Sequence, residues 1–193
     1  KPAVPIGGIY RIIAFTLSNC INSGNRKIYV LIQYKSHSLQ QHLLRGWNIF
    51  ASDLGEYIDI IPAQQRTGEY WYRGTADAVY QNLYAIEHEQ PEQVLVLAGD
   101  HVYKMNYAQM AEFHEAHQAE VTVGVIEMEE VQAKGFGIVQ VDTEGRIIGF
   151  EEKPARPKTI PGRPGWCYAS MGIYLFNRVL LEQALLGDAE REE

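Results

Sequence analysis

VLVLAGDHVY, residues 94–103, runs from an unbroken apolar stretch straight into Gly99, Asp100 and His101. An apolar run of this length, bounded by glycine, reads as a strand covered on both faces, as in parallel α/β sheets. Ligands of such sheets sit in the crevice at the carboxyl ends of the strands. Asp100 is therefore expected at that rim. A turn or helix-capping aspartate would look the same in isolation, so the surrounding chain has to choose between the two.

Upstream, PAVPIGG is a Pro/Gly-rich loop. YRIIAFTLSNCINSGN carries Ile13, Leu17 and Ile21 at helical spacing, and Gly24 or Asn25 can close that helix. KIYVLIQY is β-branched and apolar, a buried strand. SHSLQQHLLRGW predicts a short helix with Leu39, Leu43 and Leu44 inward, and YIDIIPA a strand halted by Pro62. A polar, aromatic-rich loop then leads to one helix over TADAVYQNLYAIEHE.

Downstream, YAQMAEFHEAHQ predicts a helix with Met110, Phe113 and His117 on its inner stripe. EVTVGVIEM alternates as a strand, and GIVQV and RIIGFEE form a hairpin around residues 142–145. CYASMGIYLFN is a further strand and RVLLEQALL a last helix. Helices and strands in alternation, with a late hairpin, imply an α/β protein with a mostly parallel sheet in three layers.

The bulk numbers fit one soluble domain: 193 residues, 46% hydrophobic, 21% charged, with a formal net charge of −7. That acidic balance argues against generic binding to a nucleic-acid backbone. No apolar run approaches the roughly 18 residues of a membrane span. The two cysteines, Cys20 and Cys167, are far apart and read as small buried side chains in a reducing compartment.

Three places could carry chemistry. In WYRGTADAV, Thr75 or Asp77 can cap the following helix, whose free N–H groups favour phosphate, and Gly74 lets a ligand approach the backbone. Tyr72 and Arg73 beside it could contact a sugar or an anion. In FEEKP, Lys153 can hold a phosphate monoester and Glu152 can accept bonds from sugar hydroxyls. Strand alternation sends those two to opposite faces unless the chain bends, which Pro154 makes credible. Asp100 is suited to Mg²⁺ beside a triphosphate. His101 would be a base only if the reaction needed one, and His114 with His117 reads as an ordinary helix pair.

Each of these signals is weak singly, but their order is specific. KPAVPIGG, YRII, LSNCINSG, PAQQR, WYRGTADAV, LAGDHVYKM, GFGIV, EEKP and ASMGIY follow one another over nearly the whole chain. Together they resemble the glucose-1-phosphate adenylyltransferases, also called ADP-glucose pyrophosphorylases. The resemblance implies a nucleotide-diphospho-sugar transferase fold, with a Rossmann-like sheet wrapped by helices. It implies ATP plus glucose 1-phosphate giving ADP-glucose plus pyrophosphate, for glycogen or starch synthesis, in a cytoplasmic homotetramer. It assigns Asp100 as the Mg²⁺-binding catalytic aspartate. Tyr72, Gly137, Glu152, Lys153 and Ser170 become the glucose 1-phosphate pocket, with Lys153 on the phosphate. Gln33, Gln65, Trp71 and Arg73, with Gly74 and Thr75 of the same segment, fall on the ATP side or couple it to regulation. Arg11 and His88 are the local candidates for effector contacts.

The chain also departs from the family pattern. The family's GGxGxRL nucleotide loop, a second metal carboxylate and a C-terminal β-helix domain are expected outside these 193 residues, so the isolated piece is expected to be weak or inactive. Ala14 stands where the family reads RIID, and an aspartate there is expected to cap the first helix, with Thr16 as a substitute one turn later. Asn106 stands where relatives have aspartate and is expected still to cap or turn. Two other readings stay open: a non-catalytic regulatory subunit, and a sugar nucleotidyltransferase using another nucleotide.

Overall fold

The structure is a computed structural model that describes residues 2–33, 36–47, 49–63 and 71–192. The chain gathers into two compact units, one of Lys1–Val94, Gly99–Glu120 and Phe176–Glu193, the other of Leu95–Ala98 and Val121–Leu175.

In the first unit, the Pro/Gly-rich start forms a small antiparallel hairpin, β1 (Pro5–Ile6) with β2 (Tyr10–Arg11). Gly7 and Gly8 make its turn at φ +58° and +89°, values that glycine reaches without a Cβ penalty. Helix α1 (Ile13–Asn22) follows. It ends in a Schellman motif: Gly24 N–H donates to Ile21 O and Asn25 N–H to Cys20 O, with Gly24 at φ +84°. Of the two closers expected from the sequence, Gly24 takes the left-handed position.

The helix does not begin as expected. Its first residue is Ile13, so Ala14 lies inside the first turn, and no side chain caps it. The early N–H groups are met by backbone instead, Ile12 N–H on Val4 O at 3.1 Å and Ile13 N–H on Pro2 O at 3.2 Å. Thr16 is buried and hydrogen-bonded to Tyr103, not to the helix end.

Strands β3 (Lys27–Ile32) and β4 (Tyr57–Pro62) pair in parallel, in register from Lys27–Tyr57 to Ile32–Pro62. They sandwich apolar side chains against α1 and α2 (Ser36–Gly46), burying Ile13, Leu17, Val30, Ile32, Leu39 and Leu43. Leu39 and Leu43, four apart, share the inner face. Leu44, expected inward, is rotated about 100° further round and is exposed.

The single helix expected over residues 75–89 is two, α3 (Thr75–Tyr80) and α4 (Leu83–Glu89). Asn82 breaks it by donating its amide back to Ala78 O at 2.7 Å, competing with the backbone ladder. Helix α5 (Tyr107–Ala116) buries Tyr107, Met110 and His114, whereas Phe113 and His117 stack on each other at 4.0 Å outside. Met110 is inward as expected, but the stripe continues through Tyr107 and His114 instead of Phe113 and His117. Asn106 does cap α5, its side chain accepting from Ala108 N–H at 3.0 Å.

The second unit is built on a five-stranded sheet. β5 (Gln93–Leu97), β9 (Trp166–Asn177), β7 (Gly137–Val141) and β8 (Ile147–Glu152) follow in that spatial order, and β6 (Val121–Glu129) also pairs with β9. The β7–β8 hairpin is antiparallel, as is β7 with β9. Its turn is held by Asp142, whose carboxylate accepts from Glu144 and Arg146 N–H, with Gly145 at φ +82°. A short helix α6 (Glu130–Ala133) lies against β6, and Ala133, Ile138, Cys167 and Ala169 form the core. The last helix, α7 (Arg178–Glu192), returns to α3 in the first unit.

Candidate functional site

The sequence-selected residues divide between the units. Gln33, Trp71, Tyr72, Arg73, Gly74, Thr75 and Asp100 belong to the first, and Gly137, Glu152, Lys153 and Ser170 to the second. Gln65 lies outside the described residues.

In the second unit, local geometry draws the four residues together. Gly137 on β7 faces Glu152 on β8 in register, and Ile138 faces Ala169 on β9. One residue further along, the same register sets Ser170 beside Gly137, so Glu152, Gly137 and Ser170 share one rung of the sheet. Just past that rung Lys153 adopts φ +46°, a left-handed conformation uncommon for a side-chain-bearing residue. Its N–H is fixed on Phe136 O at 3.1 Å. The turn cancels strand alternation, and the Lys153 ammonium lies 2.9 Å from the Glu152 carboxylate. Gly137 is needed for packing: a Cβ there would lie 2.4 Å from Phe150 Cζ and 3.0 Å from Glu152 Oε2. Ser170 Oγ accepts from Gly172 N–H at 3.2 Å and lies 3.0 Å from the Tyr174 hydroxyl.

In the first unit, residues 71–75 form the loop before α3. Gln33 donates to Tyr72 O at 3.2 Å, and Asn82 donates to the Tyr72 hydroxyl at 2.9 Å. Asp77 accepts from Arg73 N–H at 2.8 Å and from Gln81 at 3.1 Å. Gln33 thus holds the loop, and Asn82, missed in the sequence, holds the phenol. Gly74 sits at φ −173° with nothing within 4 Å of its Cβ position, so that side of the backbone is open. Thr75 is the first residue of α3 and exposed, and Trp71 is 42% exposed.

Asp100 stands three residues after the end of β5, and a Cβ added at the preceding Gly99 would meet Pro2 and Ile13. Its side chain is one-third exposed, and its Oδ1 lies 3.5 Å from His101 Nε2. Among the described residues no three His, Cys, Asp or Glu side chains cluster to hold a metal by themselves. A single exposed carboxylate still fits magnesium, which is commonly held by one or two carboxylates together with substrate phosphates and water.

Arg11 lines a cavity of about 630 Å³ in the first unit, with His37, His42, Arg45 and Trp47, and Ala14 lies in its wall. His42 Nε2 is buried there without a hydrogen-bond partner among the described residues. Burial, and then the Arg11 charge, hold the His42 imidazole below its ordinary pKa. His88 ends α4 beside Glu89.

A profile of the nucleotidyl transferase family matches residues 1–193. The chain belongs to that family. It is 53% identical over its full length to a glucose-1-phosphate adenylyltransferase of Rhodopirellula baltica, covering 44% of that protein. It is 55% identical over its full length to glucose-1-phosphate adenylyltransferase 2 of Alkalilimnicola ehrlichii, covering 46% of it. A third relative, the glucose-1-phosphate adenylyltransferase of Paramagnetospirillum magneticum, is 56% identical over the full length, with 45% covered. The resemblance carried by the motifs is borne out, and the α/β architecture is that of a nucleotidyl transferase domain. The chain spans about half the length of the curated relatives it matches. No helix among the described residues of this nucleotidyl transferase is long and apolar enough to cross a membrane.

Proposed function

We propose that this chain carries adenylyl-transfer machinery that joins ATP and glucose 1-phosphate into ADP-glucose and releases pyrophosphate. The observation that carries the reading is the rung of Glu152, Gly137 and Ser170 with Lys153 turned back beside it. A sugar phosphate needs hydroxyl acceptors and a compact cation close together, and this short stretch of sheet supplies both. The names of the relatives supply the nucleotide and the sugar.

The chemistry asks for positioning rather than a protein nucleophile. The attacking phosphate oxygen is ionised at neutral pH, so His101 has no proton to remove. Lys153 offsets the phosphate charge, Glu152 orients the hexose hydroxyls, and Ser170 contributes a hydroxyl on the same rung. Tyr72, steadied by Gln33 and Asn82, is read as a sugar-binding residue, and Trp71, Arg73, Gly74 and Thr75 as residues of the nucleotide side. Asp100 would hold Mg²⁺, which when bound neutralises triphosphate charge and orients it for in-line displacement. The basic cavity at Arg11 is read as the place for an anionic effector. The whole protein is read as a cytoplasmic homotetramer in glycogen or starch synthesis.

The test is pyrophosphate release and formation of the matching nucleoside-diphosphate glucose from glucose 1-phosphate with ATP, UTP, GTP or dTTP as donor, beside calorimetric titration of Mg·ATP and glucose 1-phosphate. A strong preference for ATP supports the reading. Equal use of all four nucleotides overturns it.

A further inference from the structure

Helix α1 and its C-cap carry three polar side chains on one side, Thr16, Asn19 and Ser23, at spacings of three and four residues. Thr16 and Asn19 are 6% exposed, although a buried hydroxyl or amide is costly unless it is bonded. All three are bonded to the same stretch of chain, the one that leaves Asp100. Asn19 Nδ2 donates to Tyr103 O at 3.1 Å. Ser23 Oγ accepts from Tyr107 N–H at 2.7 Å. Thr16 is bonded to Tyr103, and the Tyr103 and Tyr107 hydroxyls lie 2.5 Å apart.

Residues 101–106 have no helix or strand of their own to hold them. Before Asp100, a Cβ added at Gly99 would meet Pro2 at 3.6 Å and Ile13, the first residue of the same helix, at 3.9 Å, so the backbone passes close to the start of α1. Asp100 is thus bracketed by α1 and its C-cap, through close passage of the backbone on one side and three hydrogen-bonding side chains on the other.

We infer that the polar stripe of α1, and Asn19 above all, is a positioning device that fixes the Asp100 carboxylate for its metal–nucleotide ligand. The inference rests on the role proposed for Asp100. Asn19 touches no reacting group. It acts by denying the segment alternative paths, as outer partners of metal-binding carboxylates do, and their loss commonly costs about 10- to 100-fold in metal affinity.

The test compares the 193-residue chain with Asp100→Asn, Asn19→Ala and the gentler pair Thr16→Val with Ser23→Ala. Two measurements are made: Mn·ATP binding by water-proton relaxation, and hydrogen exchange of amides 101–106. Asn19→Ala is expected to weaken Mn·ATP binding by about 10-fold or more. It should speed exchange in residues 101–106 while leaving β3 and β4 protected, and the double variant should do the same to a smaller degree. A folded Asn19→Ala that keeps the original affinity and exchange overturns the inference, provided Asp100→Asn loses binding. If Asn19→Ala does not fold, the double variant decides by the same criterion. If Asp100→Asn binds like the unaltered chain, the Asp100 assignment falls and the inference falls with it; where the 193-residue chain binds too weakly to measure, unchanged exchange of amides 101–106 in a folded Asn19→Ala overturns the inference.

Discussion

Lys153 and Glu152 are neighbours in sequence and partners in space, with ammonium and carboxylate 2.9 Å apart because Lys153 turns to φ +46° at the end of β8. In a continuing strand they would face opposite ways. The backbone turn therefore makes a cation and a hydrogen-bond acceptor available to one ligand. Lys153→Met is expected to raise the KM for glucose 1-phosphate by about 10- to 100-fold, the range of a lost charged hydrogen bond. The KM for ATP should change little. Initial-rate kinetics with each substrate varied separately checks this, and an equal loss for both substrates would count against a phosphate role.

Gly137→Ala tests the same rung from the protein side. The added methyl would enter the space of Phe150 Cζ, 2.4 Å away, and of Glu152 Oε2, 3.0 Å away. Phe150 is 50% exposed and the contact is with its ring tip, so the ring can swing out. The stability cost is then about 1 kcal/mol, the low end of overpacking. Urea unfolding should show it, and the loss should shrink in a Phe150→Ala background, where the obstructing ring is gone.

Much of this was legible from residues. The β-branched run 27–32, the Asp142 turn and the Gly24 closure follow from local sterics, and the structure keeps all three. What local sterics do not determine was missed. Asn82 splits a helix because its amide finds Ala78 O and the Tyr72 hydroxyl, a choice made by tertiary contact. Phe113 faces outward because His114 has Asn177 to bond, at 3.1 Å, on the inner side. Apolarity alone mis-sorts that pair. The Glu152–Gly137–Ser170 rung needs strand register, which periodicity within one strand cannot give. A further overlooked signal was polar residues at helical spacing, Thr16 and Asn19 in α1 and Ser23 at its C-cap.

Asn82 makes a separable prediction. It is 6% exposed and its amide serves two acceptors, Ala78 O and the Tyr72 hydroxyl. Tyr72→Phe removes one of them and should cost about 1 kcal/mol. Asn82→Ala also empties the site and leaves the phenol unsatisfied, so about 1–3 kcal/mol is expected. A double-mutant cycle by chemical denaturation should give a coupling of at least about 0.5 kcal/mol. Additive losses would show the bond to be idle.

Burial pushes the Cys20 thiol up to about 12 from its ordinary value of 9.0. The folded state thus keeps a proton that the unfolded chain releases above pH 9. This contribution to stability is complete below pH 9 and is lost as pH rises toward 12, at up to about 1.4 kcal/mol per pH unit. Unfolding free energies at pH 8 and 10.5 should differ accordingly. Cys20→Ala lowers stability at both values but should flatten the difference. In the native chain at pH 8 the thiol should also resist alkylation until unfolding.

Asn106 offers the opposite kind of test, a gain. Its side-chain oxygen already accepts from Ala108 N–H at 3.0 Å at the start of α5. No acidic residue occupies the first turn of that helix. Aspartate keeps the cap geometry and adds a negative charge beside the free N–H groups. Asn106→Asp should therefore stabilise by about 0.3–1 kcal/mol at low ionic strength. Asn106→Ala should destabilise by about 1 kcal/mol through loss of the cap. The two effects separate by salt. The aspartate gain should fade in molar sodium chloride, where screening reaches within about 3 Å, and the alanine loss should persist because a short-range hydrogen bond is gone. Thermal melts of both variants at low and high salt would decide it, and a salt-independent aspartate gain would mean that something other than the helix dipole is responsible.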